Sequence, residues 1–385
     1  MSDQPSLLFL TSFYPTDEHP HHGIFFRDHA EALAKYCDVS VLTVRTPTIR
    51  QARQLRRSVR VEKVNGVTAI EVIQPVLTHR LTSRKDQAEI DGLEAGYQLY
   101  LSEQHVQPDL LIAQTALQPG KWARHLHKEY ASTPYVIFEH FSFLSEMFGR
   151  QEEEMRAVYE DASAIVSVSD HLQTKVEAFL EQQAISKPTG VIGNVIGRTF
   201  EYQAFISASP APPFRWLFVG PDDQPKKGID VLAEALPQLK TPDWQLTIVG
   251  EGTYSSLLNS EISDRVTSHQ PVDRGQMVAL MQHHHALVSS SRVETFGMAI
   301  VEMLSCGRPV VATRCGGPQE YLADNLGELV EPENPAALAQ AMDQVVEQYE
   351  QYDQKAIRSH IIERFGGQAF YQRLKHLFSQ AKIYI

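Results

Sequence analysis

Cysteine is scarce in this chain: three residues in 385, Cys37, Cys306 and Cys315. The number is odd and no CxxC spacing occurs, so neither a disulfide framework nor a thiolate zinc site is indicated, and a reducing compartment fits. Basic residues are outnumbered, 35 Lys and Arg against 47 Asp and Glu, for a formal net charge of -12. An overall surface of that sign disfavours nucleic acid as a partner. No stretch approaches the roughly 18 consecutive apolar residues that would span a bilayer. Met1 to Pro5 offers no basic start followed by an apolar segment. The expectation is a cytoplasmic protein, touching a membrane at most from its inner face. Short-period repeats and low-complexity tracts are also lacking.

What is present, 43% hydrophobic and 21% charged residues, describes a globular chain long enough for two domains of about 150 to 200 residues each. Short aliphatic runs, each followed by a longer segment of helical periodicity, predict parallel sheets covered by helices on both faces. The runs are Leu7 to Thr11, Val39 to Val44, Leu110 to Ala113, Tyr135 to Phe138 and Ala164 to Val168, then Arg215 to Val219, Gln245 to Val249, Ala286 to Ser289, Pro309 to Ala312 and Glu328 to Val330. Between the two series the chain loses periodicity and reaches Ser209-Pro210-Ala211-Pro212-Pro213, which reads as a linker. The predicted boundary lies near residue 200, giving domains 1–200 and 201–365. Ligands of parallel sheets bind beyond the carboxyl ends of strands, so two such domains are expected to face each other across a cleft.

The segment Leu287 to Leu304 reads as strand, polar turn and helix. With Thr295 as its predicted N-cap, the helix would leave the amides of Phe296, Gly297 and Met298 unpaired at the positive end of its dipole, a site for phosphate. Glu302 falls about 9 Å further along the axis, and Glu294 stands at the strand end. Two carboxylates thus bracket one anion site, and carboxylates accept well from vicinal hydroxyls. Ribose, diphosphate and hexose match that layout. Glutamates on a surface helix are ordinarily just solvated. This helix is otherwise apolar, which requires Glu302 either to be paired or to reach a ligand.

The run Glu-Thr-Phe-Gly-Met-Ala-Ile-Val-Glu, followed by Met-Leu-Ser-Cys-Gly-Arg-Pro-Val-Val-Ala-Thr, resembles the E-x7-E signature of retaining GT-B glycosyltransferases of the family 4 type. The resemblance implies two Rossmann-like domains, a nucleotide-sugar-binding second domain, and a C-terminal helix, about 366–385, that packs back on the first. Val219-Gly220-Pro221-Asp222 to Lys227-Gly228 resembles the family's first strand and loop of that domain, where an Arg and a Lys clamp the donor diphosphate. Lys227 matches the Lys. Pro221 stands where the Arg would be, leaving a substitute such as Lys226, a cation from the other domain or weakened catalysis as the alternatives. Val249-Gly250-Glu251-Gly252 resembles the second strand and its turn near the base, and Gly316 and Gly317 read as shaping a tight turn.

In the first domain Gly23 resembles the glycine that admits donor phosphate and acceptor. His140, closing the run Tyr135 to Phe138, resembles the histidine beside the anomeric carbon; as a bare residue it also reads as an ordinary buried histidine, and its place at a strand's carboxyl end favours the functional reading. Asn194 reads as structural. His19, His21, His22 and His283 to His285 lack a completing ligand set, so no metal is expected. From Arg45 to Lys63 seven cations stand against Glu62 alone, with Arg80, Arg84 and Lys85 following. That stretch reads either as a solvated excursion or as a surface for anionic lipid or a charged acceptor.

The implied chemistry is metal- and cofactor-independent transfer of a sugar, with retention, from a nucleotide-diphosphate sugar to a hydroxyl of a glycan, glycolipid or small molecule. His140 and Glu294 would be catalytic, and Gly23, Lys227, Phe296, Gly297, Met298 and Glu302 donor-binding. A nucleotide-sugar epimerase of the same architecture and a non-catalytic sugar-nucleotide-binding protein are the competing readings.

Overall fold

The computed structural model describes residues 4–16, 19–52, 56–77, 82–130, 133–140, 152–209, 211–222, 225–258, 262–323 and 325–383. Arg53 and Arg80 of the basic stretch and Pro210 of the linker lie outside the described residues. The chain divides into two compact units, one made of Met1–Val168, Leu172–Val195 and Phe370–Ile385, the other of Ser169–His171 and Ile196–Ala369.

In the first unit the strands are β1 (Ser6–Thr11), β2 (Asp38–Arg45), β3 (Ser58–Val64), β4 (Val67–Ile73), β5 (Leu110–Ala113), β6 (Tyr135–Glu139), β7 (Ala164–Ser167) and β8 (Thr189–Val191). They form one sheet in the order β3-β4-β2-β1-β5-β6-β7-β8, parallel throughout except for β3 against β4. Every residue of β1, β5, β6 and β7 is buried, which is why these strands read as unbroken apolar runs. The final helix, Gly367–Gln380, adds Phe370, Leu374, Leu377 and Phe378 to the core built on Leu7, Phe9, Val41 and Val136. Gly190 in β8 makes room for it, since a Cβ there would lie 2.2 Å from Leu377.

The basic stretch is in part an ordered hairpin, solvated along β3, which is exposed from Val59 to Val64. β3 pairs antiparallel with β4 from Ser58↔Ile73 to Val64↔Val67. Asn65 and Gly66 turn the chain with φ of 51° and 84°, the left-handed pair that a two-residue hairpin needs. β4 buries Val67, Ile70 and Val72, whereas β3 is a sheet edge with Val59, Val61 and Val64 exposed.

The second unit holds β9 (Phe214–Val219), β10 (Trp244–Val249), β11 (Val266–His269), β12 (Ala286–Ser289), β13 (Val310–Thr313) and β14 (Gly327–Val330), all parallel, in the order β11-β10-β9-β12-β13-β14. Its core gathers Trp216, Phe218, Leu246, Ile248, Val288 and Val311 under Leu338 and Met342. Two arginines fasten the incoming segment to this unit. Arg308, with no exposed surface, donates to the carbonyls of His284, Gln282 and Ile206 and to Gln354 Oε1 at 2.7 to 3.0 Å. Arg358 donates to the carbonyls of Glu201, at 2.9 Å, Gln203, at 3.0 Å, and Ser305. The predicted pair of parallel α/β series is therefore what the chain forms. None of the described helices is long and apolar enough to cross a membrane.

Candidate active site

In the second sheet the strand order reverses between β9 and β12, so the loops leaving these two neighbours diverge to opposite sides and open a crevice at their carboxyl ends. The β9 loop carries Lys227 and the β12 loop carries Glu294. Their side chains meet: Lys227 Nζ lies 2.6 Å from Glu294 Oε1, and Ser291 Oγ donates to the same oxygen at 2.9 Å.

Both residues are held by backbone geometry that glycine permits. Gly228, at φ 63°, caps the helix Ile229–Ala235, and a Cβ on it would stand 2.0 Å from the Ser290 carbonyl oxygen. The loops after β9 and β12 therefore touch main chain to main chain, with Lys227 fixed at the seam. Glu294 extends its strand as a bridge to Gly316: its N–H donates to the Cys315 carbonyl at 3.1 Å and its carbonyl accepts from Gly317 at 2.9 Å. The turn role read for Gly316 and Gly317 agrees with this contact.

The helix after Glu294 is Met298–Ser305, and its N-cap is Gly297 at φ 86°, not Thr295. The Gly297 carbonyl accepts from Ile300 and Val301, and the left-handed residue turns the chain directly into the helix. The first-turn amides ahead of those bonds belong to Met298 and Ala299, and no side chain caps the helix. Phe296 serves packing: it is buried against Tyr321 and Phe365, with ring centroids 5.5 and 5.2 Å away, and its carbonyl accepts from the Tyr321 hydroxyl at 2.7 Å.

Glu302, in the second turn, is buried and ion-paired with Arg274 Nη1. Burial pushes its carboxyl pKa up, and the adjacent guanidinium opposes that shift. Arg274 also lies over the Phe200 ring, 4.8 Å from its centroid. Of the two alternatives for Glu302, the structure thus supplies a protein partner, and it is one that sequence reasoning missed.

Lys226, the substitute considered for the missing Arg, is exposed, and a further cation, Arg292 of the β12 loop, contacts the Pro225 carbonyl. Arg292 grips Asp230 at 2.9 and 2.7 Å, pairs with Glu333, and donates to the Pro225 carbonyl at 2.5 Å. It therefore braces the Pro225–Lys227 turn. The turn after β10 packs on the same loop: the Tyr254 hydroxyl donates to the Gly220 carbonyl at 2.8 Å and Asp222 accepts from Tyr254 N–H at 2.7 Å. Gly250 and Gly252 are explained by that contact.

In the first unit, Gly23 caps the helix Ile24–Leu33 at φ 65°, and the space of its missing side chain is taken by the Phe13 carbonyl oxygen, 2.2 Å from where a Cβ would stand. His140 follows β6, buried between Phe25 and Phe26 with ring centroids 5.2 and 5.0 Å away. Its Nε2 is 2.7 Å from Gln114 Oε1, and burial depresses its pKa well below the usual range. A neutral ring that donates from Nε2 keeps Nδ1 as an acceptor. That Nδ1 is buried and unbonded among the described residues. His29 Nε2 bonds Asn194 Oδ1 at 3.1 Å, and burial pushes the His29 pKa down to about 3. Beside them Glu139 accepts from the Tyr159 hydroxyl at 2.7 Å and Ala116 N–H at 2.9 Å, and burial pushes its pKa up to about 7. His284 and His285 are spent on Thr247 and Arg215.

Residues 201–359 match the protein family described as Glycosyl transferases group 1. This stretch is a group 1 glycosyltransferase domain. Glu294, Glu302 and Lys227 all fall inside it. The chain is 30% identical over 205 residues to the phosphatidyl-myo-inositol mannosyltransferase of Mycobacterium tuberculosis strain H37Rv, covering 50% of this chain and 53% of that protein. It is 34% identical over 161 residues to the D-inositol 3-phosphate glycosyltransferase of Arthrobacter sp. strain FB24, covering 39% of this chain and 37% of that protein. The chain thus spans about half or less of the length of these curated relatives. Among solved structures, sucrose-phosphate synthase from Thermosynechococcus elongatus superposes with a TM-score of 0.72 at 19% identity, over 98% of both chains. Anabaena HepE in complex with UDP-glucose gives 0.66 at 21% identity, over 97% of this chain and 99% of that one. Beside the glycosyltransferase domain, these likenesses give the whole chain the GT-B fold.

Proposed function

We propose that the chain is a retaining glycosyltransferase using a nucleotide-diphosphate sugar and needing no metal. The observation that carries this reading is the Lys227–Glu294 contact, 2.6 Å long, at the sheet's switch point beside an uncapped helix start. A lysine and helix amides together neutralise a diphosphate as a metal otherwise would. In the proposed reaction the bond from the anomeric carbon to the diphosphate oxygen breaks and a bond to the acceptor oxygen forms on the same face. The acceptor proton passes to the departing diphosphate. Lys227 and the first-turn amides of Met298 and Ala299 stabilise the charge that develops there, Glu294 orients the donor-sugar hydroxyls through Oε2, and Glu302, held by Arg274 through Oε1, offers Oε2 to the ribose. Gly23 contributes its backbone amide to the donor, and His140 accepts from the donor sugar through Nδ1. The acceptor is a glycan or lipid-linked hydroxyl, and the work is done in the cytoplasm, at the inner membrane face where the β3 hairpin meets anionic lipid.

Lys227→Met removes a cation aimed at developing charge and is expected to lower donor turnover by about a hundredfold or more. The assay is release of nucleotide diphosphate from a panel of UDP-, GDP- and ADP-sugars, with and without acceptor, and the anomeric configuration of the product read by NMR. An unchanged rate in Lys227→Met, or an inverted product, sinks the proposal. Pro221 favours one second reading, a sugar-nucleotide binder without turnover, for which the same panel would give binding and no release. Release without any acceptor would instead mark an epimerase.

A further inference from the structure

We infer that Gln114 is a positioning residue for the transfer: by accepting from Nε2 of His140 it holds that ring in the tautomer whose Nδ1 is free to accept from the donor sugar. The inference rests on the transferase reading above and adds to it the residue that decides what His140 can do.

Both side chains stand at strand ends. Gln114 directly follows β5 and His140 directly follows β6, and the two strands are parallel neighbours with Ala113 beside Ile137. The Gln114 N–H donates to the Leu10 carbonyl at 3.0 Å, which extends the ladder with β1 by one residue and fixes the backbone from which the side chain reaches. Gln114 is 1% exposed and His140 is buried, so the 2.7 Å contact between Gln114 Oε1 and His140 Nε2 is made without competing water.

An amide oxygen only accepts, so the ring nitrogen facing it carries the proton. In a neutral ring that leaves Nδ1 with its lone pair, and among the described residues this atom is buried and unbonded. The other end of the amide, Gln114 Nε2, is buried and unbonded as well. A glutamine kept for packing alone would leave that donor unsatisfied where an apolar side chain would not. What the glutamine adds over such a side chain is its oxygen, and the oxygen orients the ring. The neighbours do not compete for His140 Nε2. Phe25 and Phe26 face the ring with carbon alone. His29, its titratable neighbour at 5.3 Å between centroids, is itself neutral and gives its Nε2 to Asn194 Oδ1, an amide near both rings. Glu139, the preceding residue, spends its carboxyl on Tyr159 and Ala116.

The test uses the full chain, isotope-labelled at the histidine nitrogens, with Gln114→Met and Gln114→Glu, and with His140→Asn to assign the ring signals; circular dichroism verifies folding. Nitrogen NMR near neutral pH is expected to show wild-type His140 neutral with its proton on Nε2, and Gln114→Met with part of that proton moved to Nδ1. A wild-type ring protonated on Nδ1, or the same tautomer in Gln114→Met, overturns the inference. Donor turnover, followed as nucleotide-diphosphate release from the sugar nucleotide that the panel selects, is expected to lose about tenfold in kcat in Gln114→Met, with KM for donor within about twofold. An unchanged kcat, or a rise in KM alone, also overturns it. In Gln114→Glu the carboxylate still accepts from Nε2–H and in addition favours the doubly protonated ring. Turnover needs the neutral ring, so the acid limb of the kcat profile is expected to move to higher pH by about one unit or more, and a limb that stays in place counts against the coupling. The tautomer is read without turnover. A wild type that releases no nucleotide diphosphate therefore sinks the transferase reading, while the spectrum still judges the hold of Gln114 on His140.

Discussion

Glu139 gives a stability experiment whose sign and size come from the structure. Its carboxyl is 1% exposed, accepts from Tyr159 and Ala116, and is pushed by burial from an ordinary value of 4.5 up to about 7. A carboxyl whose folded pKa is raised favours the protonated, folded state. Its contribution is complete below about pH 4.5 and is lost as pH rises through about 7, at about 1.4 kcal/mol per pH unit in between, or about 3 kcal/mol in all. Glu139→Gln stays neutral and keeps an amide oxygen for both donors. The buried His29 and His140 act in the opposite direction, losing stability as pH falls through and below their ordinary range, but they do so equally in both proteins. The informative quantity is thus the difference between wild type and variant in urea unfolding, measured at half-unit steps from pH 4.5 to pH 8. Wild type is expected to weaken relative to Glu139→Gln across this range, by about 3 kcal/mol between its ends. A difference that stays constant with pH would refute the argument that burial leaves this carboxyl neutral in the folded protein.

Gly228→Ala puts a methyl group where the Ser290 carbonyl stands, 2.0 Å away, at a left-handed φ. It is expected to destabilise the second unit by more than about 1 kcal/mol and to weaken nucleotide-sugar binding through Lys227, both read by thermal shift with and without ligand. Arg308→Met removes a buried guanidinium from three carbonyls and Gln354 at once, and unfolding free energy should fall by about 3 kcal/mol or more. Arg292→Ala frees the Pro225–Lys227 turn from its brace, with the expectation of a raised KM for donor and little change in unfolding by urea, because the ion pairs are at the surface.

Strands buried on both faces announce themselves as unbroken apolar runs, which is why ten of the fourteen described strands are legible in the sequence. β3 and β4 are not, because alternation along β4 and the cations of β3 mask them, although Asn65-Gly66 is a hairpin signal in plain view. β8 has three residues and β11 exposes Thr267, Ser268 and His269, so neither offers an apolar pattern to find. At the site, Glu294 and Lys227 are 67 positions apart and meet because β9 and β12 are neighbours. Only the family-like motifs point to both. Arg274 beside Glu302 and Arg292 beside Asp230 could not be foreseen, since each pair depends on how separate elements settle against one another. The misplaced cap has a local cause: Thr295 has the right side chain, but Gly297 alone supplies the backbone angle.

The outer rim of the first sheet has a colloidal consequence. β3 is an edge strand of the sheet among the described residues, with Val59, Val61 and Val64 exposed, and an edge of this kind is a template on which a second chain could zip. Arg60 and Lys63 on the same strand, with Arg57 just before it, act as gatekeepers, keeping like-charged rims of two molecules apart. Mobile ions shield that repulsion, so concentrated stocks of the protein should stay monodisperse in dilute buffer and self-associate as salt is added.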